Sequence, residues 1–463
     1  MAATRQGLLL ESIQRLLRRG ATARVQHLLE KTRTEDIAHL LPGLTVRDRR
    51  SVFDLLPSAE TQALVLAEAD RSFTQELIEP LPLQRIVEVL RALDTDDVAD
   101  ILRALPDEKA EPLLAALHAQ ESGLVEEILG YGPETAGGIM SADYFALNRD
   151  TTVTDAIRTL QERGEELDMA FYIYVINEHG HLVGVVSLRQ LVTSKPDRRL
   201  SEVMEPEVIS VTTDADQEDV ASIVARYNFL AVPVVDENNR LRGIVTVDDI
   251  IDVIKDEATE DILKLAGAGE QLAPEAPARD HLRMRYPWLI ASCISGFLAA
   301  FILEPFIGAL GAFLGSFVPI VAGMAGNVGI QSSTIIVRGL ATGAVDTTRS
   351  GAVVRREVLV GLALGVGYGL IVGTGAALVA WLQSDGRPPL EIVYAGLAVG
   401  LSLTASMLIA ATVGAVIPLA CFRFGLDPAV ATGPFVTSSL DVIGLLSYFG
   451  IAVALAMALG LHG

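Results

Sequence analysis

The sequence predicts a multidomain membrane protein with four consecutive parts. We expect an all-α superhelical N-terminal domain, an α+β domain made from a tandem repeat, a long acidic connecting helix and a five-helix α transmembrane domain. Three observations support this prediction: apolar runs fill residues 284–463, residues 133–247 contain an internal duplication, and the formal net charge of −22 is confined to residues 1–283. The chain of 463 residues is also too long for one typical domain.

The distribution of charge limits the partners of the soluble part. Residues 284–463 contain seven Lys/Arg and seven Asp/Glu, so all of the net negative charge lies upstream. Such a segment repels nucleic acid and attracts cations, and we expect no nucleic-acid partner. An acidic domain that is merely soluble would explain the same total. The first residues lack the apolar core of a secretory signal, so we expect residues 1–280 to remain in the cytosol.

Residues 1–132 show short amphipathic helices interrupted by a recurring Leu-Pro dipeptide. Proline is tolerated in the first turn of a helix but not in its interior, so each Leu-Pro predicts a helix junction within a short solenoid of helix pairs. The dipeptides begin at Leu41, Leu56, Leu81 and Leu105. Four acidic residues cluster at the start of one helix, where capping is the alternative to cation binding. They are Asp94, Asp96, Asp97 and Asp100.

Residues 133–247 contain two copies of one pattern: a strand, a helix, two further strands and a second helix. The first copy has its strand pair at Tyr174–Asn177 and Gly184–Leu188. The second copy has the equivalent pair at Val232–Asp236 and Gly243–Asp249. Two such units are expected to pack together as one α+β module.

Residues 248–283 predict an acidic helix followed by a flexible linker, which we place at Gly267–Pro277. The helix contains Asp248, Asp249, Asp252, Asp256, Glu257, Glu260 and Asp261, opposed only by Lys255 and Lys264. Like charges three or four residues apart destabilise a helix by about 0.2–0.5 kcal/mol per pair. Bound cations would relieve this repulsion, while a plainly solvated face is the alternative.

The apolar runs of residues 284–463 predict five membrane spans by their length. Four of them are Tyr286–Leu303, Pro305–Val337, Val358–Leu382 and Ile392–Phe422, and the fifth contains Asp441. All of the flanking arginines except Arg387 fall on one side of these spans, which the positive-inside rule assigns to the cytosol. We therefore expect a multi-pass protein of the cell membrane, with its N-terminal domains in the cytosol and its C-terminus outside.

Asp441 is the only acidic or basic side chain between Asp427 and His462. A carboxylate at mid-bilayer costs roughly 2.5–3.5 kcal/mol on insertion scales, so such residues usually face water, a partner charge or an ion. The second span adds the amides of Asn327 and Gln331 in a run of small residues that starts at Gly323. Close helix packing is the alternative reason for those small residues. Together the two spans predict a polar-lined path.

The available ligands indicate which ion this path would suit. Oxygen donors without a cluster of His or Cys favour magnesium, calcium or manganese over zinc and copper. Magnesium keeps most of its water and is usually held by one or two carboxylates. One Asp441 per chain, doubled by the twofold axis of a homodimer, fits magnesium better than a six-oxygen calcium site.

The repeat of residues 133–247 resembles a tandem pair of cystathionine beta-synthase (CBS) domains, which in many families bind adenine nucleotides. The usual ribose-phosphate signature is complete from Gly243 to Asp249, whereas Gln190 replaces its aspartate in the first copy. The resemblance implies that ATP or another adenine nucleotide could bind there. The residues it implies are Arg189, Phe229, Thr246 and Asp249.

Nearly the whole chain resembles the MgtE family of magnesium channels. The resemblance rests, in order, on the run from Tyr131 to Met140, the CBS pair, the acidic helix, the Asn327/Gln331 stretch followed by Arg338-Gly339-Leu340, Arg356-Glu357-Val358, and the Asp441 segment. It implies a homodimer with an ion path between the five-helix bundles. It also implies a cytosolic magnesium sensor that closes the path, with the acidic helix acting as a plug helix.

Carried over by position, the resemblance makes Asp441 the pore carboxylate that holds hydrated Mg²⁺. Asn327 matches a pore-lining amide, and Gly326 and Gln331 belong to the same stretch, which sets ion selectivity. The positions that gather regulatory Mg²⁺ are Asp96, Asp100, Asp216, Glu218, Asp249, Asp252, Glu257, Glu260 and Asp261.

One departure from the family pattern leaves an alternative open. Ile330 stands where the usual Gly-Asn-x-Gly-Asn-Gln has its second asparagine, so a broader divalent cation transporter for Co²⁺, Mn²⁺ or Ni²⁺ is a second hypothesis. A third is a non-conducting membrane sensor built on the CBS pair. An enzyme is not expected, because no constellation of nucleophile, base or phosphate loop occurs. Glu304 and Glu357 fit interfacial anchors and ion attractors equally well.

Overall fold

A computed structural model describes residues 5–69, 71–117, 119–163, 171–267, 278–341, 344–345, 350–383, 389–429 and 433–460. The chain divides into two compact units, Met1–Lys255 and Asp256–Gly463. The first unit contains the helical N-terminal part and the repeat. The second contains the end of the acidic helix and five long apolar helices.

The N-terminal part is the predicted helical solenoid. Its helices are α1 (Arg5–Arg18), α2 (Thr22–Leu29), α3 (Thr34–Ala38), α4 (Val46–Asp54), α5 (Ala59–Ala67), α6 (Arg71–Ile78), α7 (Leu83–Leu90), α8 (Thr95–Ala104), α9 (Asp107–Ala116) and α10 (Ala119–Leu129). Pro82 and Pro106 occupy the N-cap positions of α7 and α9, as the Leu-Pro pattern predicts. From α3 onward each helix packs against the second one along the chain, so two layers enclose a core that includes Ile37, Phe53 and Leu90.

The duplication of residues 133–247 is confirmed as two three-stranded sheets with the same topology. In each sheet the first strand is parallel to the second, which is antiparallel to the third. The first copy comprises β1 (Ala146–Asn148), α11 (Val153–Arg163), β2 (Tyr172–Ile176), β3 (Leu182–Ser187) and α12 (Leu188–Thr193). After α13 (Leu200–Val203), the second comprises β4 (Val211–Thr212), α14 (Gln217–Tyr227), β5 (Ala231–Val235), β6 (Leu241–Thr246) and α15 (Val247–Leu265).

The two copies are joined through their hairpin turns. The backbone N–H of Leu182 donates to Asn239 O at 3.0 Å, and the Asn239 side-chain amide donates to Leu182 O at 3.0 Å. Asn239 holds a left-handed backbone with φ of 60°, which brings its carbonyl and side chain to the neighbouring turn. The repeat is therefore one module, as predicted.

The acidic helix is α15, a continuous helix of 19 residues. Most of the linker predicted at Gly267–Pro277 lies outside the described residues. The division of the chain at residues 132, 247 and 283 stays a prediction.

Five helices of the second unit are long and apolar enough to cross a membrane, as predicted. They are α16 (Ala278–Gly315), α17 (Val318–Ala341), α18 (Ser350–Leu382), α19 (Pro389–Arg423) and α20 (Gly433–Ala458). The boundary predicted at Glu304-Pro305 is wrong, because α16 continues through Pro305 and the break falls at residues 316–317. Neighbouring helices satisfy the backbone groups that a proline frees, so a proline does not have to end a membrane helix.

Glycines line the most extensive helix contact of the second unit, which joins α18 to α19. Gly365, Gly369 and Gly373 follow at four-residue spacing on α18, and a Cβ on any of them would overlap atoms of α19. Gly367 and Gly375, on the other face of α18, have open space around them. This seam packs backbone against backbone.

Candidate functional site

The helices α17 and α20 bring the predicted pore residues to the same level. A Cβ on Gly329 would overlap the Leu440 side chain, and a Cβ on Gly444 would lie 3.8 Å from the Ala325 methyl group. These two contacts bracket Asn327 on α17 and Asp441 on α20. The turn that bears the amide and the turn that bears the carboxylate therefore lie side by side within one chain.

The predicted pore residues lie on a face of α17 that this chain leaves open. Asn327 and Gln331 are exposed at four-residue spacing, whereas Val328 and Gly329 are buried against neighbouring helices. Gly326 has no side chain to fill the space beside it, and a Cβ there would touch nothing. Asp441 is half-buried. Polar amides exposed on a membrane helix require water, an ion or a second copy of the chain to satisfy them.

Ile330 shares this exposed face. It is 41% exposed and follows Asn327 by three residues, so its apolar side chain lies beside Asn327 and Gln331 on the helix surface. The departure from the family pattern therefore lies on the polar face itself.

A second group of carboxylates lines a cavity of about 70 Å³ in the first unit. Its lining combines the start of α8, the segment before β1, the end of β6 and the start of α15. The residues are Asp94, Asp96, Asp97, Ser141, Asp143, Ile244, Thr246, Asp248 and Asp249. We call this group the acidic cavity.

Burial and mutual repulsion raise the pKa values of the acidic cavity. Burial, followed by the charge of Asp249, raises the pKa of Asp96 well above its usual range. The same two causes raise the pKa of Asp97 to about 7, and burial raises that of Asp249 to about 6. The Asp96 Oδ1 atom is buried and has no hydrogen-bond partner in the described part of the chain. The cavity is thus a desolvated anionic site that a cation would stabilise.

The cavity walls are fixed by hydrogen bonds that do not neutralise the carboxylates. Thr95 donates to Asp143 Oδ2 from both its backbone N–H and its hydroxyl, each at 3.2 Å. The Thr246 hydroxyl donates to Asp249 at the start of α15. The Asp94 side chain makes no capping hydrogen bond, and Asp96 and Asp97 lie in the first turn of α8.

The structure separates the predicted regulatory residues into groups. Asp96 and Asp249 meet in the acidic cavity, and Asp100 lies one turn further along α8, where Arg103 pairs with it at 3.3 Å. Asp216 and Glu218 start α14 and do not line the cavity; there Asp216 accepts the Glu218 N–H at 2.8 Å as a helix cap. Sequence reasoning missed Asp143 and Asp248 as cavity residues.

The remaining acidic residues of α15 differ in exposure. The Asp252 side chain is 75% exposed and lies 3.6 Å from Lys255. Glu257, Glu260 and Asp261 are partly buried further along the helix. Burial and the charge of Asp427 raise the pKa of Asp261.

Within the described ranges, no group of three or more His, Cys, Asp and Glu side chains is arranged to hold a metal ion directly. The donor chemistry nevertheless fits magnesium, which keeps several waters and contacts carboxylates partly through them. In the acidic cavity, the Asp96 Oδ1 atom has no hydrogen-bond partner among the described residues, and the negative charges repel one another. A hydrated Mg²⁺ would stabilise both features.

The residues predicted to bind nucleotide have local structural roles as well. Thr246 and Asp249 hydrogen bond at the start of α15, and Ser187 and Gln190 form the matching capping box at the start of α12. Gln190 therefore keeps the helix cap although it replaces the signature aspartate. Phe229 stacks on Tyr227 with ring centroids 5.4 Å apart, and Arg189 is exposed on α12.

The two glutamates with open roles lie in different surroundings. Glu304 is exposed on α16. Glu357 is only 7% exposed and precedes Gly361 by one turn on the face of α18 that packs against α19. Glu357 is thus a packed residue of the bundle.

The chain matches three protein-family models that together span most of its length. A divalent cation transporter model, MgtE, matches residues 318–451, an MgtE intracellular N domain model matches residues 32–134, and a CBS domain model matches residues 136–196 and 200–256. The N-terminal superhelix, the repeat and the long apolar helices each have a counterpart in one of them.

Two relatives match almost end to end. The chain is 38% identical over 456 residues to the magnesium transporter MgtE of Thermus thermophilus, covering 95% of this chain and 97% of the relative. It is 34% identical over 441 residues to the magnesium transporter MgtE of Bacillus subtilis, covering 95% of each. A crystal structure of the cytosolic domain of the Mg²⁺ channel MgtE in complex with ATP is similar, with a TM-score of 0.50 and 38% identity over 53% of this chain and 99% of that one.

Proposed function

The chain belongs to the MgtE family of divalent cation transporters, and from this premise we propose that it is a magnesium channel gated by Mg²⁺ on its acidic soluble part. The observation that carries the proposal is the exposed polar face of α17 at the level of Asp441. The membrane is the setting that the five long apolar helices require.

In this proposal the path runs between two copies of the chain. Asn327 and Gln331 face outward from a single chain, so a second copy related by a twofold axis would enclose them. Two Asp441 carboxylates would then attract one Mg²⁺ that keeps most of its water, and the Gly326 turn would leave room for that water shell. The soluble part lies in the cytosol and the C-terminus outside, as the arginine distribution favours.

Gating follows from the charge of the acidic cavity and α15. An ion at ten times its dissociation constant that binds only the closed arrangement shifts the balance by about 1.4 kcal/mol. Roughly four such ions supply the 5.5 kcal/mol that moves a switch from 1:99 to 99:1. Asp96 and Asp249 are the residues we expect to bind regulatory Mg²⁺ most directly, because their charges are buried and unneutralised.

The test is Mg²⁺ flux into liposomes that contain the native chain or Asp441→Asn. We expect the substitution to lower the flux at least about tenfold, which corresponds to about 1.4 kcal/mol. Glu304→Gln, at an exposed carboxylate of α16, is the control and should leave the flux unchanged. Equal flux in the native chain and Asp441→Asn would defeat the pore assignment, and no flux in either would favour a non-conducting sensor.

A broader divalent cation transporter is the second candidate, favoured by the exposure of Ile330 on the polar face. Competition of Co²⁺, Mn²⁺ and Ni²⁺ against Mg²⁺ in the same assay distinguishes the two candidates. If Ile330 relaxes selectivity, Ile330→Asn will reduce competition by these ions. Equal competition in both proteins would remove Ile330 from the selectivity question.

We also propose an adenine nucleotide site on the CBS pair, since a relative's cytosolic domain holds ATP. Thr246 and Asp249 would face the ribose and phosphates, with Phe229 and Arg189 as the further residues of the site. Calorimetry with ATP on the full chain tests this. Phe229→Ala should weaken binding, and absence of heat with the native chain would reject the site.

A further inference from the structure

The last turn of α15 carries an ion cluster of a different kind from the acidic cavity. The Lys264 Nζ atom lies 2.7 Å from Asp427 Oδ2, and it also pairs with Glu260 one turn earlier on the same helix. Asp427 follows α19, and its Oδ1 accepts the Ala429 N–H at 2.7 Å. One ammonium group thus links two segments that are 163 residues apart in sequence.

Two carboxylates pair with this ammonium group, and a third, on Asp261, interacts with its charge. Asp261 belongs to the cluster, since the charges of Asp427 and Glu260 act to raise its pKa and that of Lys264 acts to lower it. Partial burial opposes the charge of Lys264, but its hydrogen bonds to Asp427 and Glu260 raise its pKa overall. The lysine is therefore charged at any physiological pH, and its positive charge reduces the repulsion among the three carboxylates.

Backbone contact accompanies the ion cluster. Gly433, the first residue of α20, lies so close to Leu265, the last residue of α15, that a Cβ on Gly433 would overlap the Leu265 carbonyl oxygen. A helix carries partial negative charge at its carbonyl end and partial positive charge at its amide end, so this end-to-end approach is favourable. We call the Lys264 cluster and the Gly433 contact together the joint.

We propose that Lys264 acts as a tethered cation that holds the end of α15 against the start of α20 without a divalent ion. Asp441 lies two turns beyond Gly433 on α20, so the joint connects the acidic helix to the helix that bears the proposed pore carboxylate. The relevance of the joint to gating rests on the proposed function. The magnesium sensitivity of α15 then resides in its other carboxylates, and Lys264 is a positioning residue.

An ordinary surface ion pair would not support this proposal, because exposed pairs contribute little. A second lysine of α15 shows how Lys264 differs from an exposed lysine. Lys255, on the same helix, has a side chain that is 75% exposed and lies 3.6 Å from Asp252, whereas the Lys264 side chain is 22% exposed and has two carboxylate partners. Lys255 is therefore the matched control for Lys264.

The first experiment measures the joint directly and independently of transport. Hydrogen exchange of the full chain in nanodiscs is followed in EDTA at residues 258–266 and 433–440. The native chain and Lys264→Arg should be protected, Lys255→Met should match them, and Lys264→Met should exchange roughly tenfold faster, the effect of losing a charged contact worth about 1.4 kcal/mol. Millimolar Mg²⁺ should restore protection in Lys264→Met, because three carboxylates are left without a cation.

Two outcomes of the exchange experiment would overturn the proposal. One is loss of protection in the native chain when Mg²⁺ is removed, which would make a divalent ion the cation of the joint. The other is native protection in Lys264→Met under EDTA, which would make the lysine dispensable.

The second experiment separates this inference from the proposed function. We expect the internal Mg²⁺ concentration that halves the flux to rise about fivefold in Lys264→Met, within the range for a partly buried charged contact, and to stay unchanged in Lys255→Met. A native chain that Mg²⁺ does not close would defeat the gating proposal, while the exchange result would still decide the joint. An unchanged half-closing concentration in Lys264→Met would remove the joint from gating.

Discussion

The carboxylates at the two ends of α15 differ in whether the chain itself supplies a positive charge next to them. At its start, Asp248 and Asp249 line the acidic cavity, where buried carboxylates repel one another and the pKa values rise. At its end, Lys264 pairs with Glu260 and Asp427, so the positive charge belongs to the chain. Acidic residues on one helix are therefore not equivalent, and only those without a built-in partner depend on a free cation.

The largest effect is expected when the charges along α15 are removed together. Asp249→Asn, Asp252→Asn and Glu257→Gln in one chain should leave transport intact but insensitive to internal Mg²⁺. The expected change approaches the roughly 5.5 kcal/mol that a complete switch requires. Flux as a function of internal Mg²⁺ measures it, and continued closure in millimolar Mg²⁺ would contradict the assignment of the sensor to α15.

The acidic cavity should make the stability of the metal-free protein depend on pH. Asp97 and Asp249 have folded pKa values of about 7 and about 6, above the value of about 3.9 for an unfolded chain. Their stabilising contribution is therefore complete below about pH 4 and is lost as the pH rises through 6 to 7, a change on the order of 3–4 kcal/mol for each carboxylate taken alone.

Thermal unfolding of the full chain in EDTA between pH 4 and pH 8 checks this dependence. Asp97→Asn should flatten the curve, and Mg²⁺ should raise the melting temperature mainly at the alkaline end. A melting temperature that is constant or rises over this range would show that the carboxylates of the cavity are neutralised by other groups.

The joint should be sensitive to a single methyl group. Gly433→Ala places a Cβ on the Leu265 carbonyl oxygen, and we expect it to lower the free energy of unfolding by about 1–3 kcal/mol, as overpacking does. Gly450→Ala is the matched control, because it lies on the same helix with open space around it. Equal melting temperatures for the two variants would mean that the ends of α15 and α20 are not in contact.

The smallest effect is expected when a single carboxylate of the acidic cavity is neutralised and compared with an exposed carboxylate elsewhere. In EDTA at pH 8, Asp96→Asn should stabilise the protein by about 1 kcal/mol, since it removes a buried carboxylate that repels Asp249 and whose Oδ1 has no hydrogen-bond partner among the described residues. Asp107→Asn, at an exposed position of α9, should change little. The same Asp96 variant should reduce the melting shift caused by Mg²⁺, and an undiminished shift would remove Asp96 from the metal site.

Much of the fold follows from local patterns in the sequence. Leu-Pro junctions, the repeated strand pairs and uncharged runs each reflect a short-range rule, and the structure confirms the solenoid, the repeat and five long apolar helices. The boundary at Pro305 could not be predicted in this way. Whether a proline ends a membrane helix depends on the neighbours that satisfy its freed backbone groups.

The candidate sites depended more on distant contacts. Asp96 and Asp249 were predicted by family resemblance, but Asp143 joins the acidic cavity only because the backbone and hydroxyl of Thr95 bind it across 48 residues. Asp427 lies in a short segment after α19 and belongs to no sequence motif, so its contact with Lys264 could not be predicted. Residues that meet only in the folded chain leave no signal at a fixed spacing.

The glycine seam between α18 and α19 has a mechanical consequence. Helices that touch through bulky side chains can slide by changing rotamers, but here the backbones interlock, and the Thr404 hydroxyl bonds across to Gly365 O at 2.9 Å. A small shift along the axis would drive backbone into backbone. We therefore expect α18 and α19 to move together as one rigid body in any rearrangement of the bundle.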